Sequence, residues 1–119
     1  MKPLARVEGN GFAMRFSNGW IVHANWGKDA HSVETDGEIT SFEVKVLAND
    51  SIPCAPGNAD GVISNVLSGW IGGQTLQSAD IGNEVAGWVE TDMLAEIFYL
   101  ASRGRKRKIR RLLTEKPCG

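Results

Sequence analysis

The sequence predicts an α+β fold: an antiparallel sheet of four or five strands, one main C-terminal helix packed on one face, and a short basic helix or tail. Three observations carry this. Apolar residues alternate at period two through the first half of the chain, and an Asn-Gly pair interrupts them at 18–19. A secure 3.6-residue period follows only residue 90.

Phe12, Met14 and Phe16 alternate with Ala13 and Arg15, the signature of a strand. Asn18-Gly19 predicts a two-residue hairpin, because a type I′ turn needs positive φ at both central positions. That turn sets Phe16 opposite Ile21 and Met14 opposite His23. Phe16, Ile21, Met14 and His23 then share one face, with Trp20, Val22, Ala24 and Trp26 on the other. The return strand, 20–26, is apolar on both faces and belongs inside the sheet.

The polar stretch 27–38 reads as a loop. Residues 39–48 form a third strand, Phe42, Val44 and Val46 facing away from Glu43 and Lys45. Two prolines and two glycines make 49–61 a turn or an irregular excursion. Between 62 and 71 the apolar residues have helical spacing, yet Asn65, Ser68 and Gly69 are poor helix interiors, so helix and strand both stay open. Residues 72–83 read as a loop and 84–89 as a short strand.

The main helix spans 91–103. Thr91 is its expected N-cap, Glu90 and Asp92 suit its positive end, and Met93, Leu94, Ile97, Phe98, Leu100 and Ala101 form its apolar stripe. Gly104 is placed as the C′ stop. A second short helix over 105–113 would hold Ile109, Leu112 and Leu113 on one side. The expected organisation is one domain, 1–104, and a basic C-terminal extension, 105–119.

Two blocks, "GFAMRFSNGWIVHANWG" with "FEVKVLA", and "EVAGWVETDMLAEIFYLAS", resemble a family of small bacteriophage-type proteins. That family's pattern is a Gly-Phe strand, an Asn-Gly hairpin ending near Trp-Gly, an acidic-apolar strand, and a strand entering one long helix. The resemblance covers 11–48 and 84–102. Because the family has no assigned activity, the resemblance implies origin and fold, not chemistry. Residues 49–83 and the basic run after Gly104 depart from the pattern, and any task particular to this chain is expected there.

The net charge of −1 is a cancellation. Residues 1–102 hold five basic and thirteen acidic residues, a net of −8, whereas 103–119 hold eight basic residues against Glu115, a net of +7. "RGRKRKIRR" packs seven cations into nine residues, a density that repels itself and asks for a counter-charge. The expected binding residues are therefore Arg103, Arg105, Lys106, Arg107, Lys108, Arg110 and Arg111. Trp20 and Trp26 join them as an aromatic patch, unless they are plain core.

Catalytic patterns are missing. His23 reads as a packed strand histidine and His31 as part of a solvated acidic loop with Asp29, Glu34, Asp36 and Glu38. Cys54 and Cys118 lie too far apart for a zinc site and read as two unrelated thiols in a reducing compartment. No nucleophile elbow, Walker spacing or G-x-G-x-x-G occurs. Glu84, Glu90 and Glu96 are expected to serve capping and solubility.

No cofactor and no metal are expected, and no membrane segment or secretory signal is read, which makes the expected location cytoplasmic (the host cytoplasm for a phage protein). The expected function is a non-enzymatic phage accessory protein that binds a host macromolecule, such as a defence or regulatory factor. The alternative is a nucleic-acid-binding module using the basic segment. A third reading, a protein that sequesters nucleotide signals, needs a pocket with cationic and aromatic walls. Homo-oligomer formation stays open.

Overall fold

The longest apolar alternation in the chain becomes the axis of the fold. The computed structural model describes residues 2–7, 9–28, 30, 32–49, 63–67, 75–77 and 84–115. Its strands are β1 (Leu4–Val7), β2 (Gly11–Arg15), β3 (Ile21–Asn25), β4 (Val33–Thr35), β5 (Glu38–Asn49), β6 (Ile63–Asn65), β7 (Thr75–Gln77) and β8 (Glu84–Glu90). Two helices follow, α1 (Thr91–Ser102) and α2 (Lys106–Glu115). All strand pairings are antiparallel, and the sheet runs β1-β2-β3-β5-β8-β7.

Strand β5 is central because its twelve residues have room for two partners along each edge. Val44 pairs with both Ala24 and Ala86, so β3 and β8 lie on opposite edges. Ser41 pairs with Val33 and Glu90, and Leu47 with Ile21 and Asn65; β4 therefore extends the β3 edge and β6 the β8 edge.

The α+β expectation holds, with eight strands among the described residues against the four or five expected. The additions are short. β1 was not anticipated, and β4 and β7 fall in stretches read as loops. Asp36 and Gly37 both take positive φ, +52° and +82°, closing β4 on β5 through a two-residue turn. Of the 62–71 stretch, Ile63–Asn65 is strand, and residues 68–71 lie outside the described set.

The Asn18-Gly19 hairpin corrects the expected register by one residue. Phe16 N donates to Trp20 O (2.9 Å), Gly19 N donates to Phe16 O (2.9 Å), and Gly19 carries φ +86°. This is a three-residue loop, a tight turn followed by a glycine bulge. Met14 consequently pairs with Val22 and Phe12 with Ala24. The two-residue register would have split the apolar residues between faces; the extra loop residue gathers Phe12 and Met14 with Val22 and Ala24 on one side.

That side carries the core. Val22, Ala24, Val44, Val46, Ala48, Ala86 and Val89 meet Leu94, Ile97 and Ala101 of α1 and Ile109 and Leu113 of α2. A chain of half-buried rings closes the margin. Phe42 meets Trp26 edge-on at 6.2 Å, Trp26 lies 6.5 Å from Phe12, and Phe98 touches both Phe12 (5.7 Å) and Phe16 (6.3 Å).

The N-cap of α1 falls one residue before the expected one. Glu90 is the N-cap, with no side-chain capping bond, and Thr91 is the first helical residue. Its end follows the sequence signal: Gly104 N donates to Ala101 O (3.0 Å), Arg105 N to Leu100 O (3.0 Å), and Gly104 has φ +66°. Those two bonds form a Schellman stop. Asn18 completes it from 83 residues away, its Nδ2 donating to Ala101 O (2.9 Å) and Ser102 O (3.2 Å) while its Oδ1 accepts from Trp20 N (3.0 Å). Asn18→Ala removes all three bonds and is expected to cost about 1–2 kcal/mol. Urea unfolding would show it as a lower midpoint at constant slope, and an unchanged midpoint would refute the role.

Candidate anion-binding face

Helix α2 has two chemically opposed sides. Ile109 and Leu113, spaced i and i+4, are buried in the core, with Leu112 half-buried beside them. The same 3.6-residue period turns Arg107, Lys108 and Arg111 outward, and all three are exposed. Lys106 and Arg110 flank the seam and are half-buried. Arg110 Nε donates to Val66 O at 2.6 Å, so this guanidinium ties α2 to the turn after β6.

Arg103 and Arg105 stand exposed in the turn between the helices. The Arg103 guanidinium lies 5.7 Å from the centre of the Tyr99 ring, which is 54 % exposed. Five exposed cations thus lie in α2 and the turn before it, with the Tyr99 ring beside Arg103. The first turn of α2 contains Lys106, Arg107 and Lys108 and no acidic residue. Cations at a positive helix end oppose the macrodipole, each by about 0.3–1 kcal/mol. The arrangement costs stability and concentrates positive potential.

The aromatic part of the expected site needs correction. Trp20 is 7 % exposed and belongs to the core, because it shares the helix-covered face with Val22 and Ala24 and lies beside Gly104. Trp26 is half-buried in the ring chain. Among the described residues the exposed aromatics are Tyr99 and Trp88. Trp88 is 40 % exposed with φ +52°. It sits where β8 spends three steps, from Ala86 to Val89, against two of β5, from Val44 to Phe42. This bulge swings Trp88 out beside Val33, Thr40 and Thr91. Gly87 before it was the available signal, since glycine inside a strand marks a bulge.

Charge is sorted along β5. Glu34, Asp36, Glu38, Glu90 and Asp92 lie around its N-terminal end, where β4 and the start of α1 meet it. The cationic helix lies at the other end, where Val66 N bonds Val46 O and Arg110 bonds Val66 O. At about 3.3 Å per residue, the eight steps of β5 from Glu38 to Val46 separate the two by roughly 26 Å.

Among the described residues no three His, Cys, Asp or Glu side chains come together as metal ligands, and no helix is long and apolar enough to cross a membrane. Asp29, His31, Cys54, Trp70 and Cys118 lie outside the described residues, as do the glycines of 69–73. No protein-family model matches the chain, and no curated protein or solved structure matches it either.

Proposed function

We propose that the protein is a non-enzymatic binding module whose α2 face docks a polyanion, with the phosphate backbone of nucleic acid as the ligand. The observation that carries the reading is the two-sidedness of α2. One side is anchored in the core by Ile109 and Leu113, and the other presents Arg107, Lys108 and Arg111 as a fixed comb. A cationic helix held rigid loses less entropy on binding than a loose tail does. Arginine predominates in the run, and its planar fork suits phosphate oxygens. The acidic end of the molecule, roughly 26 Å away along β5, repels the duplex and limits the footprint to one face.

Five phosphate contacts predict that log K for a labelled duplex falls against log salt with a slope of about −4.5. Fluorescence anisotropy across a salt series measures it. A flat dependence, or no binding at the lowest salt, would reject the reading.

The second reading keeps the same face and changes the partner to an acidic surface on a host protein, with the phage-type resemblance of 11–48 and 84–102 as its motive. Tyr99 beneath Arg103 favours it, since an exposed aromatic beside arginine is a common interface anchor. Under this reading the duplex fails to bind while an acidic protein partner competes for α2.

A further inference from the structure

We propose a second anion site, on the sheet face turned away from the helices, that takes a small organic phosphomonoester. The strand register places two rows of side chains next to each other on that face. Arg6, Ala13, His23 and Lys45 are successive cross-strand partners through β1, β2, β3 and β5. Leu4, Arg15, Ile21 and Leu47 make the row beside it, two residues along each strand.

Residues 1–102 have a net charge of −8 and only five Lys or Arg, yet three of those five lie in these two rows with His23. Glu43 is the acidic neighbour, opposite Asn25 in the row beyond Lys45.

The middle of this face is a built depression. Leu4, Arg6, Ala13, Arg15, Ile21 and His23 line a cavity of about 160 Å³. Ala13 forms the floor and is only 8 % exposed, so the larger side chains around it rise above a methyl group. Arg15 is held in place because its Nε and Nη2 both donate to Lys2 O, at 3.2 and 3.1 Å. That leaves three of its five N–H directions for another acceptor.

Two arginines and a histidine lining one small cavity match a tetrahedral dianion better than a single carboxylate. The apolar walls, Leu4 and Ile21, suit a short carbon skeleton attached to it. The volume admits a phosphoryl group with a few carbons and leaves a larger remainder outside. Among the described lining residues none is aromatic, so base stacking is not part of the recognition proposed here.

The site is independent of the α2 reading, and its test separates the two. Phenyl phosphate titrated into the 15N-labelled full chain should shift the amide signals of residues 4–6, 13–15 and 21–23, leaving 106–111 in place. Calorimetry should show Arg6→Gln and Arg15→Gln each weakening phenyl phosphate at least about tenfold. Arg107→Glu should leave it unchanged, and Ile21→Thr should weaken phenyl phosphate more than inorganic phosphate.

Should Arg15→Gln fail to fold, Ala13→Leu, which fills the floor, tests the same cavity. Shifts confined to α2, binding that survives loss of both arginines, or no response at about 10 mM phenyl phosphate would overturn the proposal.

Discussion

Ile109→Ala is expected to lower the unfolding free energy by about 3 kcal/mol, the usual cost of emptying a filled core site. Ile109 is fully buried in the cluster that includes Trp20, Val66, Ile97 and Ala101. For a domain of this size the midpoint of thermal unfolding should fall by roughly 10 °C. Removing 105–119 should go further and abolish cooperative unfolding, because it uncovers the end of α1 and Trp20 together. If the basic segment were a mere appendage, both changes would leave the melting curve where it was. Circular dichroism on the two variants distinguishes these outcomes.

The same experiment bears on why α2 is a helix. A segment this short and this positively charged is below the length at which isolated helices persist in water, and its cations repel one another. The core contacts of Ile109 and Leu113 and the Arg110 bond to Val66 O supply what the local sequence lacks. Ile109→Ala should therefore reduce helical signal as well as stability.

Arg107→Glu combined with Lys108→Glu should separate binding from folding. Losing two phosphate contacts at about 0.1 M salt weakens duplex binding by roughly 50- to 100-fold and makes the salt slope shallower by about 2. Stability should move the other way, upward by about 0.5 kcal/mol for each substitution, because acids suit a helix N-terminus and these cations do not. Anisotropy and urea unfolding on one preparation test both signs. Unchanged affinity would move the binding face elsewhere, and a fall in stability would mean that these cations are held by internal partners.

Much of the architecture follows from periodicity alone. Strands β2, β3, β5 and β8 and both helices occupy the segments that alternate or recur as their types require. The Schellman end of α1 was legible in Gly104, because few other residues accept φ +66°. The register of β2 on β3 was not, because Asn-Gly serves both two- and three-residue loops. Which loop forms is decided by burial of Phe12 against a helix almost eighty residues later in the chain. Strands β4 and β7 have three residues each, too few to display a period.

The cationic site was legible as composition but not as geometry. Counting charges picks out seven basic residues; it does not distinguish Arg110, bonded to Val66 O and half-buried, from the exposed Arg107 and Lys108. Trp20 and Trp88 illustrate the converse, since residue type favours both as anchors and only packing separates the buried ring from the exposed one. The depression above Ala13 draws on three strands, and its cations are scattered through the chain as single residues.

By itself, the amino-acid order determined the types of the main elements and the opposition of a −8 body to a +7 end. Tertiary structure decided which side chains meet. It chose the hairpin register, turned the basic segment from a charged run into a two-sided helix, and gathered isolated cations on the far side of the sheet. The reason is physical: alternation and helical period act between near neighbours and can be read locally. Burial of a shared apolar surface is a property of the whole chain, and it settles every choice that local preference leaves nearly balanced.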